Sequence, residues 1–328
     1  MHDVAQWLAD RLMRISEDQF VRTPHRRVPE ICRKSAEFNY YSVPLAHGTG
    51  TAVLAAPKEP RPGEPVLVIL THALGFDATY PYWHWIEALN AKGLHVLSID
   101  WDGHGVSGGS SLDMQTATRS LPLILQRIFG ESGASVLSLS RPGPLCFLMG
   151  HAAGAAYGLL AASRADCAKL LSGVIAVSPT VNTCSDGTFR RERFSVLNPM
   201  AWVKDFLSLV QFYGLSGVIP PSFKRQLRNF PVRLRIGIDR DVQLADFVTE
   251  TFVSRKVLQS VQTPVLWFHG ARDKRVPLER ALALMSEIPS ALFTHIDDKR
   301  GHTRMMYATE IPAYAAKFID VCASLKQR

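Results

Sequence analysis

The sequence predicts an α/β fold: a mostly parallel central sheet flanked by helices, with a helical cap inserted between two of its strands. Three observations carry that expectation. Short apolar runs such as VLVILT (66–71), HVLSID (95–100), LCFLMG (145–150) and PVLWFHG (264–270) alternate with helical patterns over most of the 328 residues. The runs lack the polar alternate positions of a half-exposed strand, so they belong to strands buried on both faces, as in a parallel sheet covered by helices. The alternation breaks once, between 181 and 262, where large apolar residues gather without any strand rhythm.

Taken in order, residues 1–36 read as an N-terminal helical extension, with Val4, Trp7, Leu8, Leu12 and Ile15 spaced for one helix face. That face is expected to pack on the body of the protein, with dimerisation or membrane contact as the alternatives. Residues 37–45 and 51–56 flank a His-Gly-Thr-Gly turn and form a hairpin. The strand at 66–71 is followed by a helix near 82–91, stopped by Gly93, and by the strand at 95–100. A longer helix over 114–129 precedes the strand at 145–150, a helix of small residues, and a strand at 173–179. Strands at 264–270 and 291–297 and a closing helix over 311–324 complete the pattern. The core is therefore 37–180 together with 263–328, and 181–262 is the cap.

Composition narrows the function classes. No apolar run reaches the roughly 18 residues needed to cross a bilayer. The N-terminus carries Asp3, Asp10, Glu17 and Asp18 and lacks a basic start before an apolar stretch, so neither a signal nor a transit peptide is expected. Cys32, Cys146, Cys167, Cys184 and Cys322 are odd in number and widely spaced, which predicts free thiols in a reducing compartment, the cytoplasm by default. Of the net charge of +8, the segment 180–257 supplies +5, from 12 Lys and Arg against 7 Asp and Glu. No nucleic-acid-binding module accompanies this excess, so a solvated face is expected, and an anionic ligand or membrane surface is the alternative. The oligomeric state is left open.

The stretch that decides the chemistry is Gly150-His151-Ala152-Ala153-Gly154, set between an apolar strand and a helix of small residues. That is the setting of the nucleophile elbow, G-x-S-x-G, with alanine where serine belongs. Two other matches are decoys. Gly105-Val106-Ser107-Gly108-Gly109 fits G-x-S-x-G but runs into a polar loop, and Gly103 to Gly108 fits the dinucleotide fingerprint G-x-G-x-x-G without a helix opening at the glycines. No cofactor is expected, and no His, Cys, Asp or Glu cluster has metal-ligand spacing.

In order, the landmarks are THALGFD (71–77), IDWDGHGVSGG (99–109), GHAAG (150–154), FHGARDKRVP (268–277) and Gly301-His302. Together they resemble the α/β-hydrolase fold, and within it the lysophospholipase and monoacylglycerol-lipase-like serine hydrolases, over about residues 60–320 outside the cap. The resemblance implies a Ser-Asp-His triad: Asp273 as the acid, His302 as the base, and Ala152 at the nucleophile position. A serine hydroxyl attacks only when an imidazole takes its proton, and that imidazole must be held in one tautomer by a carboxylate. The oxyanion hole falls to the N–H groups of Ala153 and Leu74, although Ala73 stands where the family usually has glycine. His295 is the less favoured base because it lies within a strand. His72, His151 and His269 are read as packing and orienting groups.

Three readings of Ala152 stay open. The first is an otherwise competent acyl hydrolase, acting on carboxylic esters, lipid-like or not, with thioesters and amides as the rival substrates, that lost its serine by a recent or deliberate change. The second is a natural non-hydrolytic relative that binds a hydrophobic ligand or partner. The third is chemistry needing only a His-Asp pair, such as proton abstraction or a lyase reaction. The expected partner is a small hydrophobic acyl substrate, lined in the cap by Trp202, Phe206, Phe212 and Tyr213.

Overall fold

The computed structural model describes residues 3–21, 27–46, 48–73, 76–79, 81–101, 104–105, 107, 114–130, 143–181, 253–290 and 292–326. Among them nine strands pair into one sheet. In chain order the elements are α1 (Val4–Ala9), β1 (Met13–Ile15), α2 (Glu17–Phe20), α3 (Glu30–Ser35), β2 (Ala36–Leu45), β3 (Gly48–Pro57) and β4 (Val66–Thr71). They continue with α4 (Trp83–Asn90), β5 (His95–Ile99), α5 (Met114–Phe129), β6 (Leu145–His151), α6 (Ala153–Ala162), α7 (Ala165–Ala168) and β7 (Gly173–Val177). The chain closes with α8 (Arg255–Gln259), β8 (Val265–Gly270), α9 (Leu278–Met285), β9 (Leu292–Asp297), a 3-10 helix (Thr303–Tyr307) and α10 (Ile311–Lys326).

The sheet order is β1-β2-β3-β5-β4-β6-β7-β8-β9. The first four strands in that order pair antiparallel, and from β5 onward every pairing is parallel. The sequence explains the division. A short turn after Leu45 can only reverse the chain, whereas each parallel step needs a crossover, which the helical patterns supply. Strand β4 shows why the apolar runs are continuous: Leu67 and Ile69 enter the core on one face, and Val68 and Leu70 enter the core on the other. Helix α6 lies in the first core and α10 in the second, so both faces are covered.

Two expectations change. The helix read over Val4 to Ile15 stops at Ala9, and Met13 to Ile15 pair antiparallel with Tyr40 to Ser42 as an edge strand. Asp3 caps the short helix by accepting from the N–H groups of Ala5 and Gln6. Val4, Leu8 and Leu12 are buried as the pattern required, but β-branched Ile15 joins the open edge of β2 rather than extending the helix. The first 36 residues therefore contribute a strand to the main sheet. The second change is at the cap boundary. Val253 bridges Val181 in parallel, and Val253, Leu258 and Val261 lie in the main core, so the core resumes about ten residues before 263. Residues 182–252, including Trp202, Phe206, Phe212 and Tyr213, lie outside the described residues.

Cys32, Cys146, Cys167 and Cys322 are buried and form no disulfide with one another, and Cys184 lies outside the described residues. No described helix is long and apolar enough to cross a membrane.

Candidate active site

Strand β6 ends at His151, α6 begins at Ala153, and Ala152 between them has φ 52° and ψ −115°. A positive φ in a residue with a Cβ costs on the order of 1–3 kcal/mol, and the surroundings must hold it there. They do so on both sides. The Ala152 N–H donates to the Val177 carbonyl (3.0 Å), and the Ala152 carbonyl accepts from the N–H groups of Thr180 (3.2 Å) and Ala156 (3.1 Å). Ser178, bracketed by those contacts, is the other described non-glycine residue at positive φ (42°).

The elbow glycines have a packing reason. A Cβ on Gly154 would collide with the Thr71 carbonyl oxygen and sit 2.7 Å from that of His72, and one on Gly150 would collide with the Thr71 hydroxyl and sit 2.5 Å from the Ala155 nitrogen. Backbone is met in each case, so a side chain at Gly154 would push α6 off β4, and one at Gly150 would push α6 off β6. Thr71 also ties the two elements through its hydroxyl, which contacts the carbonyls of Gly154 (3.0 Å) and Met149 (3.2 Å). Nothing in the sequence had marked Thr71 for that role.

Asp273 and His302, 29 residues apart in sequence, meet in the structure. The Nδ1 atom of His302 is 2.7 Å from Oδ2 of Asp273, with both side chains buried. Asp273 sits in the turn after β8, where its Oδ1 accepts from the N–H groups of Arg275 (2.8 Å) and Val276 (2.9 Å). Burial alone would raise the Asp273 carboxyl, but the neighbouring His302, the Val276 N–H and His269 together hold it below the usual carboxylate range. A carboxylate can only accept, so it receives the Nδ1–H of His302. The His302 ring lies 5.9 Å from that of His151, the residue just before Ala152. Pair and elbow thus share one end of the sheet.

The remaining histidines hold structure. His72 and His151 are fully buried, and burial first, then a neighbouring histidine, pushes each down to about 3. His269 Nε2 bonds the Val276 carbonyl (2.8 Å) and, at 3.7 Å, backs Asp273. His295 lies in β9 against Tyr314 (4.7 Å between rings), away from Asp273's partner position. The decoy Ser107 is engaged by backbone: it accepts from the Thr51 N–H and donates to the Asp100 carbonyl, both at 3.1 Å.

Ala153 opens α6, and its N–H is one of the first-turn amides that have no partner within their own helix. Leu74 lies outside the described residues. Its neighbour Ala73 has its N–H taken by the Tyr82 oxygen (3.1 Å), which removes that amide as a competing donor. Sequence reasoning also passed over Tyr82 and Arg300. Arg300, two residues before His302, bonds both Asp297 and Glu310, closing the two ends of the loop that carries the imidazole. The Asp-x-x-Arg spacing at 297–300 was the available signal.

Sheet order and elbow together define the architecture of an α/β hydrolase. The sequence agrees: residues 67–316 match the model of the alpha/beta hydrolase family, and the chain belongs to it. It is 29% identical over 213 residues to a monoglyceride lipase homolog of monkeypox virus, spanning 63% of this chain and 71% of that protein. Its fold is similar to a serine hydrolase of the polyaromatic-hydrocarbon-degrading bacterium Cycloclasticus zankles (TM-score 0.63, 14% identity, 87% of this chain and 98% of the other). A membrane phospholipase A described as a bacterial virulence factor is also similar (TM-score 0.62, 17% identity, 89% of each chain). So is an esterase of Pyrococcus furiosus (TM-score 0.56, 16% identity, 88% and 92%).

Proposed function

We propose that this chain carries the machinery of a carboxylic ester hydrolase with an alanine at the nucleophile position, so that it holds an acyl ester without forming an acyl-enzyme. The observation that carries the reading is the 2.7 Å contact between His302 and Asp273 beside an elbow that keeps its strained backbone at Ala152. A chain with no further use for the elbow gains from glycine at that position, whereas alanine differs from serine by one oxygen and keeps the Cβ. The similarity to a monoglyceride lipase homolog, and to folds described as an esterase and a phospholipase A, supports an acyl ester, lipid-like or a thioester, as the ligand class.

In this reading Asp273 fixes the imidazole of His302 with its proton on Nδ1, and Nε2 is the general base. With serine at 152, Nε2 takes the hydroxyl proton as the oxygen attacks the acyl carbon, then returns it to the departing alkoxide. The N–H groups of Ala153 and Leu74 receive the carbonyl oxygen as it becomes negative. Trp202, Phe206, Phe212 and Tyr213 are proposed to line the acyl pocket. The test is covalent labelling: the Ala152→Ser protein should take up one fluorophosphonate group at residue 152, read as a mass increase, and the parent chain should take up none there. A folded Ala152→Ser protein that stays unlabelled refutes the reading.

A further inference from the structure

The pair His302 and Asp273 accounts for one nitrogen of one histidine, but a second buried chain of hydrogen bonds reaches the same loop from the opposite side. His151 Nε2 is 3.2 Å from the His302 carbonyl oxygen, and His151 Nδ1 is 3.3 Å from the Tyr82 hydroxyl oxygen. That oxygen accepts the Ala73 N–H at 3.1 Å. The order of protons follows from the ends. A carbonyl can only accept, so Nε2 of His151 carries the proton, Nδ1 is bare and takes the Tyr82 O–H, and the Tyr82 oxygen is left to accept from Ala73.

We propose that Tyr82 and His151 are positioning residues for His302, a relay that locks the 302–303 peptide to the loop of Ala73 and so couples the placement of the base to that of the oxyanion-binding loop. The inference rests on the reading of His302 as the base. Three places far apart in sequence meet in this relay: Tyr82 immediately precedes α4, His151 ends β6, and His302 immediately precedes the 3-10 helix after β9. Each member is buried: Tyr82 and His151 are at most 1% exposed and Ala73 and His302 are 4% and 6% exposed, so water is poorly placed to replace a lost bond. His151 stays neutral because burial pushes it down to about 3, so the relay keeps one proton order across the working range of pH. Asp273 holds the ring of His302 and His151 holds its backbone; both are needed to fix where Nε2 lies.

The test uses the chain as it exists, with the imidazole Nδ1–H proton of His302 read by NMR and assigned by its loss in Asp273→Asn. Tyr82→Phe should shift and broaden that resonance, and His151→Leu should do so more strongly. His151→Gln, whose amide can still donate to the His302 carbonyl, should restore most of the parent signal. In Ala152→Ser proteins, Tyr82→Phe should lower kcat about tenfold at nearly constant KM, as expected for one buried hydrogen bond. Added to His151→Leu it should cost nothing further. A His302 resonance unchanged by Tyr82→Phe and His151→Leu, in folded proteins, overturns the relay whether or not Ala152→Ser turns over esters. Inactivity of Ala152→Ser with a perturbed resonance overturns the hydrolase reading and leaves the relay standing.

Discussion

Ala152→Gly should stabilise this protein. Alanine at φ 52° and ψ −115° holds a Cβ in backbone territory that favours glycine, at a cost on the order of 1–3 kcal/mol. Glycine removes that cost but loses more backbone entropy on folding, about 0.5–1 kcal/mol relative to alanine. The balance is a gain of about 1 kcal/mol. At roughly 2.1 cal/mol/K per residue, the unfolding entropy of 328 residues is about 0.7 kcal/mol/K. The gain therefore amounts to a rise of only about 1.5 °C in Tm, too small to rest on heating alone. The urea midpoint is the better assay. Ala283→Gly, at an exposed position of α9, supplies the control, because glycine in an ordinary helix interior costs about 1 kcal/mol. The two changes should move the midpoint in opposite directions. If Ala152→Gly destabilises as much as Ala283→Gly, the elbow stores no strain, and the argument that the chain preserves a nucleophile mount fails.

Gly154→Ala should be destabilising by about 1–3 kcal/mol or more, since its Cβ meets two backbone carbonyls and not a side chain that can turn aside; a neutral effect in urea would contradict the close packing of α6 on β4. Acid should unfold the chain early. His72 and His151 are held down to about 3, and His84 and His95 to about 4, against an ordinary 6.5, by burial in each case. Their folded-state values lie below the unfolded ones, so the unfolded chain binds more protons, and the stability they confer is whole above about pH 6.5 and lost as pH falls toward 4 and 3. Each ring contributes a slope of up to about 1.4 kcal/mol per pH unit, and a urea midpoint that stays level from pH 7 to pH 5 would contradict their burial as neutral groups. In the Ala152→Ser protein, Asp273→Asn should lower kcat by about 10⁴-fold through loss of the Nδ1 tautomer, and a loss under tenfold would remove Asp273 from the reaction.

Where the sequence pattern was local, it was readable. The all-apolar run 66–71 is β4 and the amphipathic stretch 114–129 is α5, with the same limits in sequence and structure. The elbow glycines, Asp273 and His302 each follow or end a strand inside a short motif, and the parallel order of β6, β7, β8 and β9 places those strand ends on one side of the sheet. What depended on a neighbouring edge was not readable. Residues 13–15 continue the helical spacing of α1, and only the free edge of β2 turns them into a strand. Likewise Tyr82 and His151 lie 69 residues apart with no pattern linking them, and they meet only through the tertiary contact between the Tyr82 hydroxyl and the His151 ring.

Ester turnover by Ala152→Ser, measured beside the parent chain and beside the same protein carrying His302→Ala, tests the central claim most directly. Removing such a serine costs on the order of a million-fold in turnover, so restoring it should raise kcat for a short or medium acyl ester from background to a measurable rate. His302→Ala should return that rate to background. A folded Ala152→Ser protein with no more esterase activity than its parent, or with activity indifferent to His302, would contradict the account.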